Sequence, residues 1–556
     1  MSAVIDDRIG PHSAETGLLA KERTIAGPGF NRWLVPPAAL AIHLCIGMAY
    51  GFSVFWLPLS RAIGVNAPVT CQDASFWSEL FTTTCDWHVA TLGWMFTLYF
   101  VFLGCAAALW GGWLERVGPR RAGVVSALCW CGGMLISALG IYLHQFWIML
   151  VGSGMIGGIG LGLGYISPVS TLIKWFPDRR GMATGMAIMG FGGGAMIGSP
   201  LAADLIKHFA TPTDVGVMKT FIVLGVVYFV FMLGGAFGYR IPPTGWAPRG
   251  WIAPAAVTRN PMITQGNVHV NRVWGIPQFW LVWMVLCMNV SAGIGVIGMA
   301  SPMLQEVFGG SLIDVPKRFS ELDKSQLTAI AGLAAGFTAM LSLFNIGGRF
   351  FWASLSDKLG RKMTYFVFLV LGGLLYASLP VSAAAGSKLL FVAAVCIIIS
   401  MYGGGFATVP AYLADLFGTQ MVGAIHGRLL TAWSTAGILG PVVVNYMREY
   451  QLGLGIPREQ VYNQTMYILI GMLVIGFICN LMVRPVDSKY FMSDAELAEE
   501  KRLAHDRAVA SETGTGGPVD AGPTRPVTVI IAWALVGIPL AWGVYRTLQS
   551  AAKFFQ

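Results

Sequence analysis

Polar and charged residues fall in short clusters along this chain, and the stretches between them are apolar and long. Such stretches lie near 33–59, 89–111, 121–143, 146–170, 181–205 and 220–240, then near 278–301, 327–352, 363–383, 388–414, 422–447 and 464–484. Each is long enough for a helix to cross a hydrocarbon core about 30 Å thick. A polar, proline-containing stretch from Ile241 to Pro277 separates the two sets. The pattern predicts an all-α membrane protein of two six-helix halves, 33–240 and 278–484, with a tail over 1–32 and a linker over 241–277. Beyond 484 the pattern changes. Ser493-Asp-Ala-Glu496 reads as a capping box opening a charged helix through about Asp506, and Ser511 to Pro526 is a Gly/Pro/Thr linker, so 485–526 reads as a cytoplasmic charged helix and flexible linker. Residues 527–548 form a thirteenth spanning candidate, although Arg546 and Lys553 would then face outward, against the usual charge rule.

The halves repeat each other. Glu115-Arg-Val-Gly118 and Asp357-Lys-Leu-Gly360 stand 242 positions apart, and so do Pro168 and Pro410, each after a Gly-rich stretch. Two anchors with one offset predict a duplicated six-helix unit, the arrangement of rocker-type transporters.

Composition agrees. Of the 556 residues 55% are hydrophobic and 11% charged, about half the charge of a soluble chain. The formal charge of +9 does not point to nucleic acid, because the basic residues recur at alternate helix ends. Counting them makes those ends, the N-terminus and the linker cytoplasmic; a bacterial inner membrane is the expected location. Residues 1–32 lack the apolar core of a removable signal peptide. Seven cysteines (45, 105, 129, 131, 287, 396, 479) sit in apolar stretches as packing residues. Cys71 and Cys85 share a loop on the outer side, where either a disulfide or two free thiols would fit. No metal spacing, cofactor motif or nucleophile–base constellation is present, so an enzyme is not expected. Gly158-Ile-Gly-Leu-Gly-Leu-Gly164 has no strand before it and serves helix packing, not a dinucleotide.

One charge stands out. Arg349 lies eight residues before Asp357, so at about 1.5 Å per residue it sits roughly 12 Å inside the membrane edge. Thr338, Ser342, Asn345 and Arg349 share one helix face, which reads as the wall of a polar path, with Arg349 contacting the molecule that passes. The bland alternative is an Arg paired to another helix, but no acid stands mid-span in the predicted segments. In the first span His43, Gly47, Tyr50 and Val54 share a face at helical spacing. Tyr50 can donate its hydroxyl to an anion, and His43 is either a satisfied hydrogen-bonding residue or a proton carrier. Asn289, Tyr165 and Tyr412 are weaker candidates to line the path.

These residues resemble the major facilitator superfamily. Its signature between helices 2 and 3 matches Gly111-Gly-Trp-Leu-Glu115-Arg116-Val-Gly118-Pro-Arg120-Arg121, with Glu115 for the usual Asp, and the copy after helix 8 is Ser356-Asp357-Lys358-Leu-Gly360-Arg361-Lys362. The resemblance implies that Glu115, Arg116, Arg120, Asp357, Lys358 and Arg361 gate the conformational change, the acids binding neighbouring helix ends and basic residues. Four further segments are similar to the oxalate/formate antiporter family, a relative of the monocarboxylate transporters: Gly162-Leu-Gly-Tyr165-Ile-Ser-Pro168-Val-Ser, Lys174-Trp-Phe-Pro-Asp-Arg-Arg-Gly181-Met-Ala-Thr-Gly, Gly190-Phe-Gly-Gly-Gly-Ala and Gly427-Arg-Leu-Leu-Thr-Ala-Trp433-Ser-Thr-Ala-Gly-Ile-Leu-Gly-Pro441. Both families place an anion-binding arginine on helix 8, which matches Arg349. The oxalate exchanger pairs it with a helix-11 lysine, at the position of Trp433 here. Proton-linked monocarboxylate carriers have a lysine near Val54 and an aspartate four residues before the arginine, here Asn345. The resemblance therefore implies a cavity with one fixed cation, lined by Arg349, Asn345, Tyr50, Trp433, Tyr165 and Asn289. Its expected cargo is a small carboxylate, formate, lactate or pyruvate before oxalate, moved by exchange in a monomeric unit. Proton symport and a carboxylate sensor on a transporter fold are the alternatives. The 527–548 segment resembles the one-helix small subunits that accompany some members, fused here.

Overall fold

The computed structural model describes residues 17–65, 69, 76–243, 246–248, 262–500, 502 and 523–555. Thirteen long helices form its body. They are α1 (Val35–Ile46, continued by a 3-10 segment, Gly47–Phe55), α2 (Val89–Val117), α3 (Pro119–Tyr142), α4 (Gly158–Trp175, reached through a π-helical turn, Leu150–Gly157), α5 (Arg180–Phe209), α6 (Val217–Gly238) and α7 (Pro277–Phe308). The rest are α8 (Lys324–Leu359), α9 (Arg361–Ala384), α10 (Lys388–Phe417), α11 (Thr431–Gly453, preceded by a short helix, Val422–Leu429), α12 (Asn463–Met482) and α13 (Pro526–Phe555). Twelve spans among the described residues are long and apolar enough to cross a membrane, α13 being one of them. Helix α8, 36 residues long, lies among them between α5 and α10. This is a multi-pass membrane protein.

Helices α1–α6 pack as one bundle and α7–α12 as another. The bundles meet along two seams, α5 against α8 and α2 against α11 with its preceding short helix. The sequence repeat has a structural counterpart at the chain reversals. Gly118 joins α2 to α3 at φ +84°, and Gly360 joins α8 to α9 at φ +85°. Only glycine adopts such values without strain, so the same residue recurs where each half makes the same turn.

The first span departs from the continuous helix predicted over 33–59. Its α-helical part stops at Ile46, where Gly47 presses on the backbone of α5: a Cβ there would lie 2.2 Å from the Phe191 carbonyl oxygen. The chain then tightens to three residues per turn, so the shared face predicted for His43, Gly47, Tyr50 and Val54 is lost beyond that crossing. Helix α7 runs past its predicted end at 301 and takes in an acid. Glu306, at the end of α7, is buried and accepts from Arg448 Nε at 3.0 Å, Arg458 Nη1 at 2.6 Å and Tyr462 Oη at 2.6 Å, tying α7 to α11 and the loop before α12.

The capping box forms: Ser493 N donates to Glu496 Oε2 at 2.8 Å, and Glu496 N donates to Ser493 Oγ at 3.2 Å. Arg272, before α7, reaches the same Glu496. Cys85 is held in a disulfide, Cys71 lies outside the described residues, and the other seven cysteines are free. The charge rule that counted against α13 meets a local answer, because Arg546 Nη2 lies 3.6 Å from Asp204 Oδ2 of α5.

Candidate functional site

Helix α8 carries Arg349 to the α5–α8 seam, where its side chain is fully buried. Nε donates to Asn345 Oδ1, one turn earlier, at 2.9 Å, and Nη1 donates to the Ile188 carbonyl of α5 at 3.3 Å. Nη2 has no hydrogen-bond partner among the described residues, and no carboxylate there pairs with the charge. The guanidinium carbon lies 5.7 Å from the Phe191 ring of α5 and 5.5 Å from the Phe406 ring of α10. Ring faces attract a cation, but weakly beside the cost of removing it from water. Thr338 and Ser342, the outer members of the predicted stripe, turn their hydroxyls back to carbonyls of α8.

An aromatic cluster surrounds the arginine. Trp433 of α11 is its hub, with ring centroids 4.3 Å from Phe406, 5.2 Å from Phe100 and Tyr165, 5.4 Å from Phe191 and 6.3 Å from Tyr50. Tyr50 shares a 3.0 Å hydrogen bond with Tyr402 Oη of α10. Trp433 Nε1 and Tyr165 Oη, both buried, have no partner among the described residues. Three buried donors from α4, α8 and α11 are thus left without an acceptor, and two of them, the guanidinium and indole N–H groups, can only donate. Such a set is complementary to an anion with two or more oxygens. Both halves supply it: Tyr50, Phe100, Tyr165 and Phe191 from the first, Arg349, Tyr402, Phe406 and Trp433 from the second.

Arg349, Asn345, Tyr50, Tyr165 and Trp433 therefore lie together at this seam. Asn289 does not join them. It packs on α7 against Gly405 of α10, inside the second bundle, because the wall of α7 that carries it faces α10 and α12. Tyr412 stacks with Tyr365 at 5.9 Å, near the Asp357 end. His43 lies between two backbone carbonyls, its Nδ1 on Ala187 O and its Nε2 3.2 Å from Tyr165 O, bracing α1 against α5 and α4. Sequence reasoning missed Phe191, Tyr402 and Phe406. Each is an aromatic residue in or beside a glycine run (Gly190-Phe-Gly-Gly-Gly194, Tyr402-Gly-Gly-Gly-Phe406), which was a usable signal. It also missed His426, buried in the short helix before α11, 5.9 Å from the Tyr165 ring, with neither ring nitrogen hydrogen-bonded among the described residues.

The two motif acids hold the seams at one end. Asp357, ending α8, accepts from Gly181 N at 2.9 Å and Met182 N at 3.0 Å, capping the first turn of α5 from the other half. Arg361 Nη2 approaches it at 2.5 Å, while Arg361 Nε reaches Asp415 at 3.3 Å. Glu115, ending α2, accepts from Lys174 Nζ at 2.7 Å and Ser170 Oγ at 2.8 Å, and it lies against Gly423 of the second half. Arg116 is exposed beside Glu115, and Lys358 is exposed at the equivalent place after Asp357. Arg120 turns away to the carbonyls of Leu18 and Arg23, so it holds the N-terminal segment instead of the second half. Asp357→Ala removes the acceptor for two helix-end N–H groups. Hydrogen bonds to a charged group contribute about 1.5–3 kcal/mol, so uptake should fall about tenfold or more at matched expression, with Asp357→Glu intermediate. Initial rates of the three proteins check this.

The sequence matches the family model of the Major Facilitator Superfamily over residues 39–441 and again over 331–550, and the chain belongs to that superfamily of membrane transporters. It is similar to the oxalate:formate antiporter of Oxalobacter formigenes, 25% identical over 483 residues that cover 84% of this chain and 96% of that protein. It is also similar to apicoplast pyruvate carrier 1 of Toxoplasma gondii, 25% identical over 75% of this chain and 84% of the carrier. A crystal structure of a bacterial homologue of the iron transporter ferroportin, in an outward-facing state, shares the fold with a TM-score of 0.52 at 13% identity, covering 81% of this chain and 99% of that one.

Proposed function

We propose that this transporter moves small monocarboxylates across a bacterial inner membrane by alternating access, exchanging one anion for another. The observation that carries the reading is the fully buried Arg349, whose Nη2 lacks a partner beside two further unpartnered donors at the seam between the halves. A carboxylate lying between Arg349, Tyr165 and Trp433 would complete all three, with Asn345 orienting the guanidinium and Tyr50 closing the side. The names of the two curated relatives, one an anion exchanger and one a pyruvate carrier, support the same class of cargo. The end bearing Asp357 and Glu115 is cytoplasmic in this reading, since the basic residues gather there. Asp357 caps α5 of the first half and Glu115 lies against Gly423 of the second, contacts that in this reading hold the halves together at that end and close the site to the cytoplasm. A carboxylate that neutralises Arg349 lowers the cost of enclosing the site, and that links binding to rocking.

Counterflow in proteoliposomes tests exchange. Labelled monocarboxylate should enter vesicles preloaded with unlabelled monocarboxylate at the same initial rate with or without a protonophore, and His43→Gln should not change this. Net uptake into vesicles without internal substrate, driven by an inward proton gradient and abolished by the protonophore, would mean proton symport instead.

A further inference from the structure

Helix α13 has no counterpart in the six-helix repeat, yet it lies on the α5–α8 seam, against α1, α5 and α8. It is tied down at three depths. Near its start Thr524 N donates to Gly29 O at 3.2 Å, Asn31 N donates to Thr524 Oγ1 at 3.0 Å, and Trp533 Nε1 donates to Trp33 O at 3.0 Å. Near its far end Arg546 meets Asp204. Between them Val536 packs with Leu40 and Ala41 of α1, and Leu540 fits where α1, α5 and α8 converge. A Cβ on Gly193 would lie 3.0 Å from Leu540 Cδ1, 3.1 Å from Leu44 Cδ2 and 3.9 Å from Ile346 Cδ1. The adjacent residue, Gly192, faces the guanidinium: a Cβ there would lie 3.2 Å from Arg349 Nε. Leu540 and Arg349 thus bear on consecutive residues of one glycine run.

We propose that α13 is a working part of the transport site, with Leu540 as a positioning residue that backs the α5 glycine run and so fixes where Arg349 presents its free Nη2. The proposal rests on Arg349 being the anion-binding group. A run of four glycines within five residues gives α5 little side-chain volume there and lowers its helical stiffness, so its path depends on what packs against it. The named polar anchors of α13 lie on the first half and the segment leading into it, whereas α8, against which α13 packs most extensively, belongs to the second. The polar anchors keep the helix with α5, and its apolar contact with α8 can slide as the halves rock without breaking hydrogen bonds. Its outer face, with Val527, Ile530, Leu535 and Ile538 exposed, suits lipid and keeps lipid away from the wall behind the arginine.

The test uses the full-length chain in proteoliposomes, with Leu540→Ala and Gly543→Val. The latter places a side chain where Ile197 Cγ1 lies 2.9 Å from the Cβ position, levering α13 off α5. The probe is whichever labelled anion among formate, lactate, pyruvate, acetate and oxalate gives the fastest wild-type uptake. Both variants should raise KM about fivefold or more while Vmax stays within about twofold, a split that a purely structural loss would not give. Amide hydrogen exchange across residues 188–197, which needs no substrate, should speed up about tenfold while α2 is unaffected. An unchanged KM and unchanged exchange in both variants, with Arg349→Ala inactive, overturns the role of α13 alone. Uptake surviving Arg349→Ala overturns the site reading itself.

Discussion

Arg349→Ala abolishes uptake of every anion the protein carries while leaving it inserted and folded. The substitution removes the one charge described within the aromatic cluster and frees Asn345 and the Ile188 carbonyl from their donor. Two charge-assisted hydrogen bonds of about 1.5–3 kcal/mol each correspond to roughly a hundred- to ten-thousandfold in affinity, below detection in most flux assays. Arg349→Lys should recover little of this. An ammonium on a flexible stem cannot hold Asn345 and the α5 carbonyl and still offer a planar pair of N–H groups to a carboxylate. Initial uptake in vesicles carrying equal amounts of protein decides the matter, and near-normal uptake by the Ala variant would remove Arg349 from the site.

Oxalate should be transported far less well than formate, lactate or pyruvate. One guanidinium compensates one carboxylate, and the groups around it are aromatic rings, an indole N–H and phenols, with no second cation described among them. An unpaired buried ion costs on the order of several kcal/mol even after relaxation, and about 3 kcal/mol already gives roughly hundredfold discrimination. Trp433→Lys should move the oxalate-to-monocarboxylate ratio upward. Because the indole is packed by five rings, the variant should also lose overall rate, so the ratio of labelled uptakes is the quantity to follow, not either rate alone. Oxalate as the best wild-type substrate would mean that a further basic group reaches the site.

Much of this arrangement was legible from period and spacing. Arg349, its stripe and the duplicated motif were readable because a charge inside an apolar run is costly, and two glycines at equivalent reversals leave the same mark twice. Asn345 followed from the four-residue spacing. The limits are equally physical. The face assigned to His43 and Tyr50 assumed 3.6 residues per turn through Gly47, but a backbone crossing there winds the chain tighter. Asn289 looked like a lining residue since a polar side chain in an apolar helix has no sequence mark for which neighbour it faces. Phe191, Phe406 and Tyr402 look like ordinary core residues until the halves are brought together, because the cluster exists only at a contact between segments some two hundred residues apart. Glu306 was passed over for a related reason: it lies just past the predicted end of its span, and its three partners come from elsewhere in the second half.

Helix α13 also sets the parity of the chain. Twelve crossings would return residues after α12 and residues before α1 to the same compartment, as the contacts of Arg272 with Glu496 and of Ile25 with Ile241 bring their segments together at one end. With α13 as a thirteenth crossing, residues 17–32 and the far end of α13 would lie in different compartments, with different proteases, redox conditions and binding partners. An affinity or fluorescent tag placed at residue 556 would report from the side opposite to one placed before α1.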